Sequence, residues 1–306
     1  MRLLTVILAL AALAAPATAS ANPFVGRKLF VDPDSPAAKQ AAAWRVTRPA
    51  DAAEMDEIAS APQAQWFGNW NRDVAAAVDA HVDRAAAAGR WTLLVAYNIP
   101  QRDCGGYSAG GTADYRAWIR EFDRGIGGRP AVIVLEPDAL AALDCLNATD
   151  RETRLSLLRD AVGVLYPNPV YIDAGHSGWH SPATMAARLG RAGIASARGF
   201  ALNVSNFRTT AGELAYGRDI ATRTNSHFVV DTGRNGLGPA PDGEWCNPPG
   251  RALGQRPHTV TGEPLADAFL WIKQPGFSDG PCNGGPAAGA WWADYALGLA
   301  RRSPSR

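Results

Sequence analysis

The strongest constraint on this chain is a set of short apolar runs that do not alternate with polar residues. They lie at 91–97 (WTLLVAY), 131–136 (AVIVLE), 170–173 (VYID), 199–203 (GFALN), 227–231 (HFVVD) and 268–273 (AFLWIK). A strand with one wet face alternates apolar and polar side chains, whereas an unbroken run suits a parallel strand covered on both faces. Amphipathic stretches with helical spacing separate the runs, at 73–88, 113–124, 151–165, 181–191, 211–223 and finally 287–300. Weaker strand candidates stand at 29–31 and 63–67. With no linker, repeat or low-complexity tract, 306 residues read as one α/β domain whose strand–helix units close into a barrel or near-barrel.

The first 21 residues stand outside that pattern. Arg2, the apolar stretch 3–15 and Ala19-Ser20-Ala21 read as a secretory signal peptide cleaved near Ala21, leaving a domain at 22–306. No later run reaches the roughly 18 apolar residues of a membrane span, so a secreted protein with no membrane partner is expected. Arg2 is one of 30 basic side chains, set against 29 acidic ones, so the mature chain is near neutral. That balance gives no reason to expect nucleic acid as a partner. No exposed apolar helix calls for a second copy, and a monomer is expected.

Four cysteines, Cys104, Cys145, Cys246 and Cys282, allow three pairings. Cys104–Cys145 and Cys246–Cys282 are preferred because each staples a loop local in sequence. There is no C-x-x-C pair, no H-E-x-x-H and no close histidine cluster, so neither a metal nor another cofactor is expected. Of the ten tryptophans, Trp66, Trp70, Trp179 and Trp245 sit beside polar residues. Taken together they suggest stacking platforms in a ligand cleft.

Almost every run ends in polar or aromatic residues: Trp66; Tyr97 with Arg102 and Asp103; Glu136 and Asp138; Asp173 with His176 and Trp179; Asn203 and Asn206; Asp231 and Arg234; Lys273 and Asp279. In a parallel barrel these ends converge on one face, where active sites form. Two candidate sites share the stretch QRDCGGYSAGG (101–111). Its G-x-S-x-G around Ser108 matches a serine hydrolase elbow, with His176, His227 and His258 downstream. An elbow needs a strand directly before the first glycine and a helix directly after the serine. Here Pro100 intervenes, and Ala-Gly-Gly follows. The carboxylates fit better. Asp138, at the mouth of a strongly apolar strand, is expected to be partly desolvated and to hold a raised pKa suited to a general acid. Asp103 is a neighbour that raises it further, with Arg102 placed to hold the Asp103 charge, and Asp279 approaches from a glycine-rich loop. Carboxylates around a tryptophan-lined groove are the equipment of a glycoside hydrolase.

Asn22-Pro23-Phe24, YNIPQRDC (97–104), VLEPD (134–138), YIDAGHSGWHSP (171–182), VDTGRNG (230–236), EWCNPPGRALG (244–254) and AFLWIKQPG (268–276) occur in an order that resembles glycoside hydrolase family 6. That is a cellulase family with a distorted, incomplete seven-stranded parallel (β/α) barrel. The resemblance spans nearly the whole of 22–306 and implies a single catalytic domain that hydrolyses β-1,4-glucosidic bonds with inversion. It implies Asp138 as proton donor, Asp103 as support for that proton and for the catalytic water, Tyr97 beside the distorted sugar ring, and Asp279 as a candidate base. Trp66, Trp179 and Trp245 match sugar-stacking positions, and Lys273 and His176 match polar contacts to sugar, with Asn206 a further expected contact. The preferred cysteine pairing is also the family's.

Two positions depart from the family pattern. Phe277 stands where a glutamate is frequent before the loop aspartate, which removes a contact to a sugar hydroxyl. Ala109 stands where a water-positioning serine is expected, with Ser108 beside it. The short interval between Cys246 and Cys282, 36 positions, implies an open cleft and internal cleavage of a β-1,4-glucan. The other readings are a non-catalytic β-glucan-binding protein, a cellobiohydrolase, and a serine esterase using Ser108.

Overall fold

In the computed structural model, residues 21–303 are described; the signal-peptide expectation falls outside them. Seven parallel strands form one sheet in sequential order: β1 Gln65–Phe67, β2 Thr92–Ala96, β3 Ala131–Leu135, β4 Val170–Asp173, β5 Gly199–Leu202, β6 His227–Asp231 and β7 Ala266–Leu270. The sheet curls until its first and last strands approach. The Ala64 N–H donates to Trp271 O at 3.0 Å, and the Trp66 indole N–H donates to Ile272 O at 2.8 Å. These bonds bridge the seam of an incomplete barrel, as expected from the unbroken apolar runs.

Each run is apolar throughout because its two faces meet different cores. On β2 and β3, Leu93, Val95, Val132 and Val134 point into the barrel with Tyr171, Val229 and Leu270. Leu94, Ala96, Ile133 and Leu135 point outward against the helices. Full burial of each such side chain contributes roughly 1.5–3 kcal/mol, so both faces favour the same pairing. Eight helices surround the sheet: α1 Pro36–Trp44, α2 Pro49–Ala59, α3 Val74–Ala87, α4 Tyr115–Ile126, α5 Ala148–Leu165, α6 Pro182–Ala192, α7 Thr210–Thr224 and α8 Ala293–Arg301. Their starts are written locally. Ser35, Asp73, Asp114, Asn147, Ser181 and Thr209 each accept a backbone N–H from the first turn that they cap, worth about 1 kcal/mol apiece.

Four local expectations change. The segment 29–31 makes only an isolated bridge, Leu29 to Trp91. Residues 287–292, expected to be helical, are wall and loop leading into α8, with Gly284 and Gly289 at φ 78°. The alanine-rich α1 and α2 were not expected; Ala37, Ala41, Met55 and Ile58 bury against Trp271 and α8. Finally, the 268–273 run is displaced: β7 begins at Ala266 and contains Asp267, a charge that masks the start of the strand.

Asp267 explains that displacement. Its side chain is 1% exposed and sits at the end of the barrel where strands begin. It accepts two bonds from Arg198 at 2.8 Å and one from the Tyr171 hydroxyl at 2.6 Å, with His227 Nδ1 3.1 Å away. Removing one partner of a buried pair leaves the other charge uncompensated. Asp267→Ala is therefore expected to destabilise the fold by about 3–5 kcal/mol, read as a lower urea midpoint. An unchanged midpoint would show that the pair contributes nothing.

Candidate active site

The polar residues at the opposite ends of the strands divide into two groups with different work. Glu136, Asp173 and Asp231 are buried and turn to the backbone of the neighbouring loops. Glu136 accepts the N–H groups of Asn98 and Ile99, just past β2, at 2.9–3.0 Å. Asp173 accepts those of Asp138 at 2.9 Å and Gly175 at 3.0 Å. Asp231 accepts from Gly233, Lys273, Ile272 and Ser205 at 2.8–3.3 Å. Burial pushes Glu136 up to about 7 and Asp231 up to about 6, against the opposing pull of these N–H bonds. Asp173 rises well above the usual carboxylate range through burial and the nearby Asp138, and its Oδ2 has no hydrogen-bond partner among the described residues.

The second group faces a cavity of about 640 Å³ whose walls include Trp66, Trp70, Tyr97, Asp103, Tyr107, Ser108, Asp138, Trp245, Lys273 and Asp279. Asp138 follows β3 with φ 69°, a left-handed turn that aims its carboxyl into the cavity. Burial first, and then the Asp103 charge, push it up to about 7, while Lys273 pulls the other way. Asp103 Oδ2 accepts both the backbone N–H and the hydroxyl of Ser108, at 2.8 and 2.9 Å. Ser108 Oγ lies 2.9 Å from the Tyr97 hydroxyl. Ser108 is thus bracketed by a carboxylate and a phenol. His227 lies at the start of β6, at the other end of the barrel, and His176 Nδ1 accepts the Gly178 N–H within its own loop. The geometry of a serine–histidine pair is not assembled.

Arg102 departs from expectation. It does not pair with Asp103; its guanidinium donates to Ser108 O at 2.8 Å, Tyr97 O at 2.6 Å and Asn69 Oδ1 at 3.3 Å, and so clamps the loop. Asp279 is held between two cations. Its Oδ2 accepts from Arg234 at 2.8 Å and from the Asn247 N–H at 3.1 Å, and Lys273 Nζ lies 3.2 Å from Oδ1. Burial opposes the charge of Asp279, yet Arg234 and Lys273 outweigh it and hold the carboxyl below its usual range.

Both preferred disulfides are present, and each ties an acidic loop in place. Cys104–Cys145 joins the loop carrying Asp103 to the turn just beyond Asp138, and Cys246–Cys282 joins the Trp245 loop to the one carrying Asp279. The loops meet across the cavity at Tyr107, whose ring lies 6.5 Å from that of Trp245. A Cβ on Gly280 would come within 2.5 Å of the Tyr107 ring, so this contact requires glycine. Phe277 and Ala109, the two departures, both line the cavity. His176, Trp179 and Asn206 are not among its lining residues. His176 and Trp179 instead pack together at 5.5 Å, and Asn206 donates to Val204 O. Arg234 and Asn247 were missed as supports of Asp279; their only sequence signal was proximity to a strand end and to Cys246.

Comparison with known proteins agrees with this geometry. Residues 24–303 match Glycosyl hydrolases family 6. The chain is 46% identical over 280 residues to Endoglucanase A of Cellulomonas fimi, covering 90% of this chain and 61% of that protein. It is 43% identical over 301 residues to Endoglucanase 1 of Streptomyces halstedii, covering 92% and 91%. It therefore spans less than two thirds of the Cellulomonas relative. Among solved structures, the endoglucanase Cel6 from Mycobacterium tuberculosis, in complex with methyl-cellobiosyl-4-deoxy-4-thio-β-D-cellobioside, superposes with a TM-score of 0.88 at 48% identity, covering 92% of this chain and 99% of that one. The chain belongs to glycosyl hydrolase family 6.

Proposed function

We propose that the protein hydrolyses internal β-1,4-glucosidic bonds of cellulose or a related β-glucan, with inversion and with water as the nucleophile. The observation that carries this reading is the Asp138 carboxyl, which keeps its proton up to about pH 7 inside an aromatic-walled cleft beside a second acid. A proton-bearing acid donates to the glycosidic oxygen as the bond breaks. Asp103 is assigned to hold Ser108 and, through it, the attacking water. Its single hydrogen-bonded oxygen leaves Oδ1 available, whereas Asp279 is committed to Arg234, Asn247 and Lys273. A carboxyl held below its usual pKa is a weak base, so Asp279 is assigned to fix Lys273 and the local field. Tyr97 and Trp66 pack edge to face at 5.2 Å and provide the apolar surface for the sugar ring at the cleavage point. Trp245 and Trp179, 51% and 39% exposed, are assigned as outer stacking positions.

The endoglucanase names of the relatives above support internal cleavage, as does the brief strap between Cys246 and Cys282, 36 positions long. Both disulfides support action outside the cell.

Proton NMR of cellohexaose during turnover tests the reading: the α-anomer is expected before mutarotation. An early β-anomer would overturn inversion, and binding without cleavage would overturn catalysis. Asp138→Asn is expected to lower kcat by about 10²–10⁴-fold, the usual scale of general acid catalysis, with glucan binding kept.

The pH profile carries a signed expectation. Asp138 is active when protonated, so kcat/KM is expected to fall as pH rises through about 7. Removing the negative neighbour in Asp103→Asn moves that limb to lower pH, and removing the positive one in Lys273→Met moves it higher. Ser108→Ala loses one hydrogen bond to a charged group and is expected to slow turnover by about 10–100-fold; complete inactivity with covalent labelling by a fluorophosphonate would restore the serine hydrolase.

A further inference from the structure

The main cavity does not end at Phe277. A second cavity of about 250 Å³ adjoins it, and Gln65, Gln274 and Phe277 line both. Its remaining wall comes from elements remote from Asp103, Asp138 and Asp279, and includes Phe30, Asp32, Asp34 and Ser35 before α1, Gln63 just after α2, and His81 of α3.

The chemistry of this wall is narrow. Phe30 and Phe277 offer two aromatic rings. Phe277 is braced edge-on by Trp291 at 5.6 Å and by a backbone bridge to the same residue, so it is a fixed ridge between the cavities. Three amides supply polar contacts, beside the Asp32 and Asp34 carboxylates, the Ser35 hydroxyl and the His81 ring. Gln63 and Gln65 each spend Nε2 on a backbone carbonyl, Ile58 O at 2.9 Å and Trp66 O at 3.3 Å. Their side-chain oxygens have no partner among the described residues, and the Gln274 side chain has none at all. Arg84, which pairs with the acids of this wall, is held by Asp32 at 2.7 and 3.0 Å and reaches Asp34 at 3.5 Å. An anionic ligand finds no uncommitted positive charge here. A neutral ligand with an apolar face and a rim of hydroxyls finds both a ring to stack on and amides to bond.

We propose that this side cavity is an outlying sugar subsite, occupied by a further glucose unit of the same β-glucan chain whose neighbours fill the main cleft. The proposal rests on the glucanase reading above and extends it. Phe277 is the aromatic ridge that carries the chain from one cavity into the other. The protein then discriminates by chain length, binding longer oligosaccharides better than a substrate confined to the main cleft.

Calorimetric titration of the Asp138→Asn protein with cellotetraose, cellopentaose and cellohexaose tests this without cleavage. Affinity is expected to rise about tenfold across the series, equivalent to about 1.4 kcal/mol. In the same background, Gln63→Ala, which lies outside the main cavity, and Phe277→Ala are each expected to remove most of that rise. Equal affinities for the three sugars, or a rise unchanged in both variants, would overturn the subsite. Failure of cellotetraose itself to bind would instead overturn the glucan reading. The unsubstituted chain-length series remains decisive should either cavity variant fail to fold.

Discussion

Buried acids at the ends of β3, β4 and β6 bind the backbone of the loops around them, and the rest of the site depends on that arrangement. Glu136 holds the chain leaving β2, Asp173 holds Asp138 itself, and Asp231 holds the chain leaving both β5 and β7. Loops on a barrel rim have few partners of their own, and an unpaired buried N–H is costly. A carboxyl at each strand end accepts several such groups at once. The loops therefore leave the sheet in fixed directions, and the side chains that face the cavity inherit that order. The disulfides act at the next level outward, tying the loop of Asp103 to the turn beyond Asp138 and the loop of Asp279 to that of Trp245.

The same few ångströms give chemically similar groups opposite character. Asp138 and Asp279 are both buried aspartates lining one cavity. Asp138 has a carboxylate neighbour and rises; Asp279 has Arg234 and Lys273 within 3.2 Å and falls. Desolvation is the leading influence on both, so the sign is decided by the neighbours. One acid pushed up and one held down, in a single cavity, follow from that separation. At the opposite end of the barrel the same kinds of group pair with one another: Asp267 accepts from Arg198 and Tyr171.

Much of this was legible in the chain before folding. Unbroken apolar runs suit two covered faces, and sequential runs with helices between them suit a parallel sheet, so the α/β class and the face on which polar residues gather follow from pattern, whereas the strand order β1 to β7 is seen only in the fold. The helical stretches expected from 73 and 181 do begin at the caps Asp73 and Ser181, whereas Ser35 and the α1 helix it caps were not read. Motif order pointed to the family, and proximity to the cysteine pairing. What only the tertiary structure decided is which strand-end residue does which work. Glu136 and Asp138 are two residues apart at one strand mouth, yet one anchors a backbone and the other faces the cleft. Arg102 adjoins Asp103 in sequence but turns to carbonyls, while Arg234 and Lys273 come from different strands to meet Asp279. A side chain's partner is set by the direction in which its loop leaves the barrel, and that direction depends on hydrogen bonds between segments far apart in the chain. Periodicity reports which face a residue is on; only the assembled rim determines what it meets there.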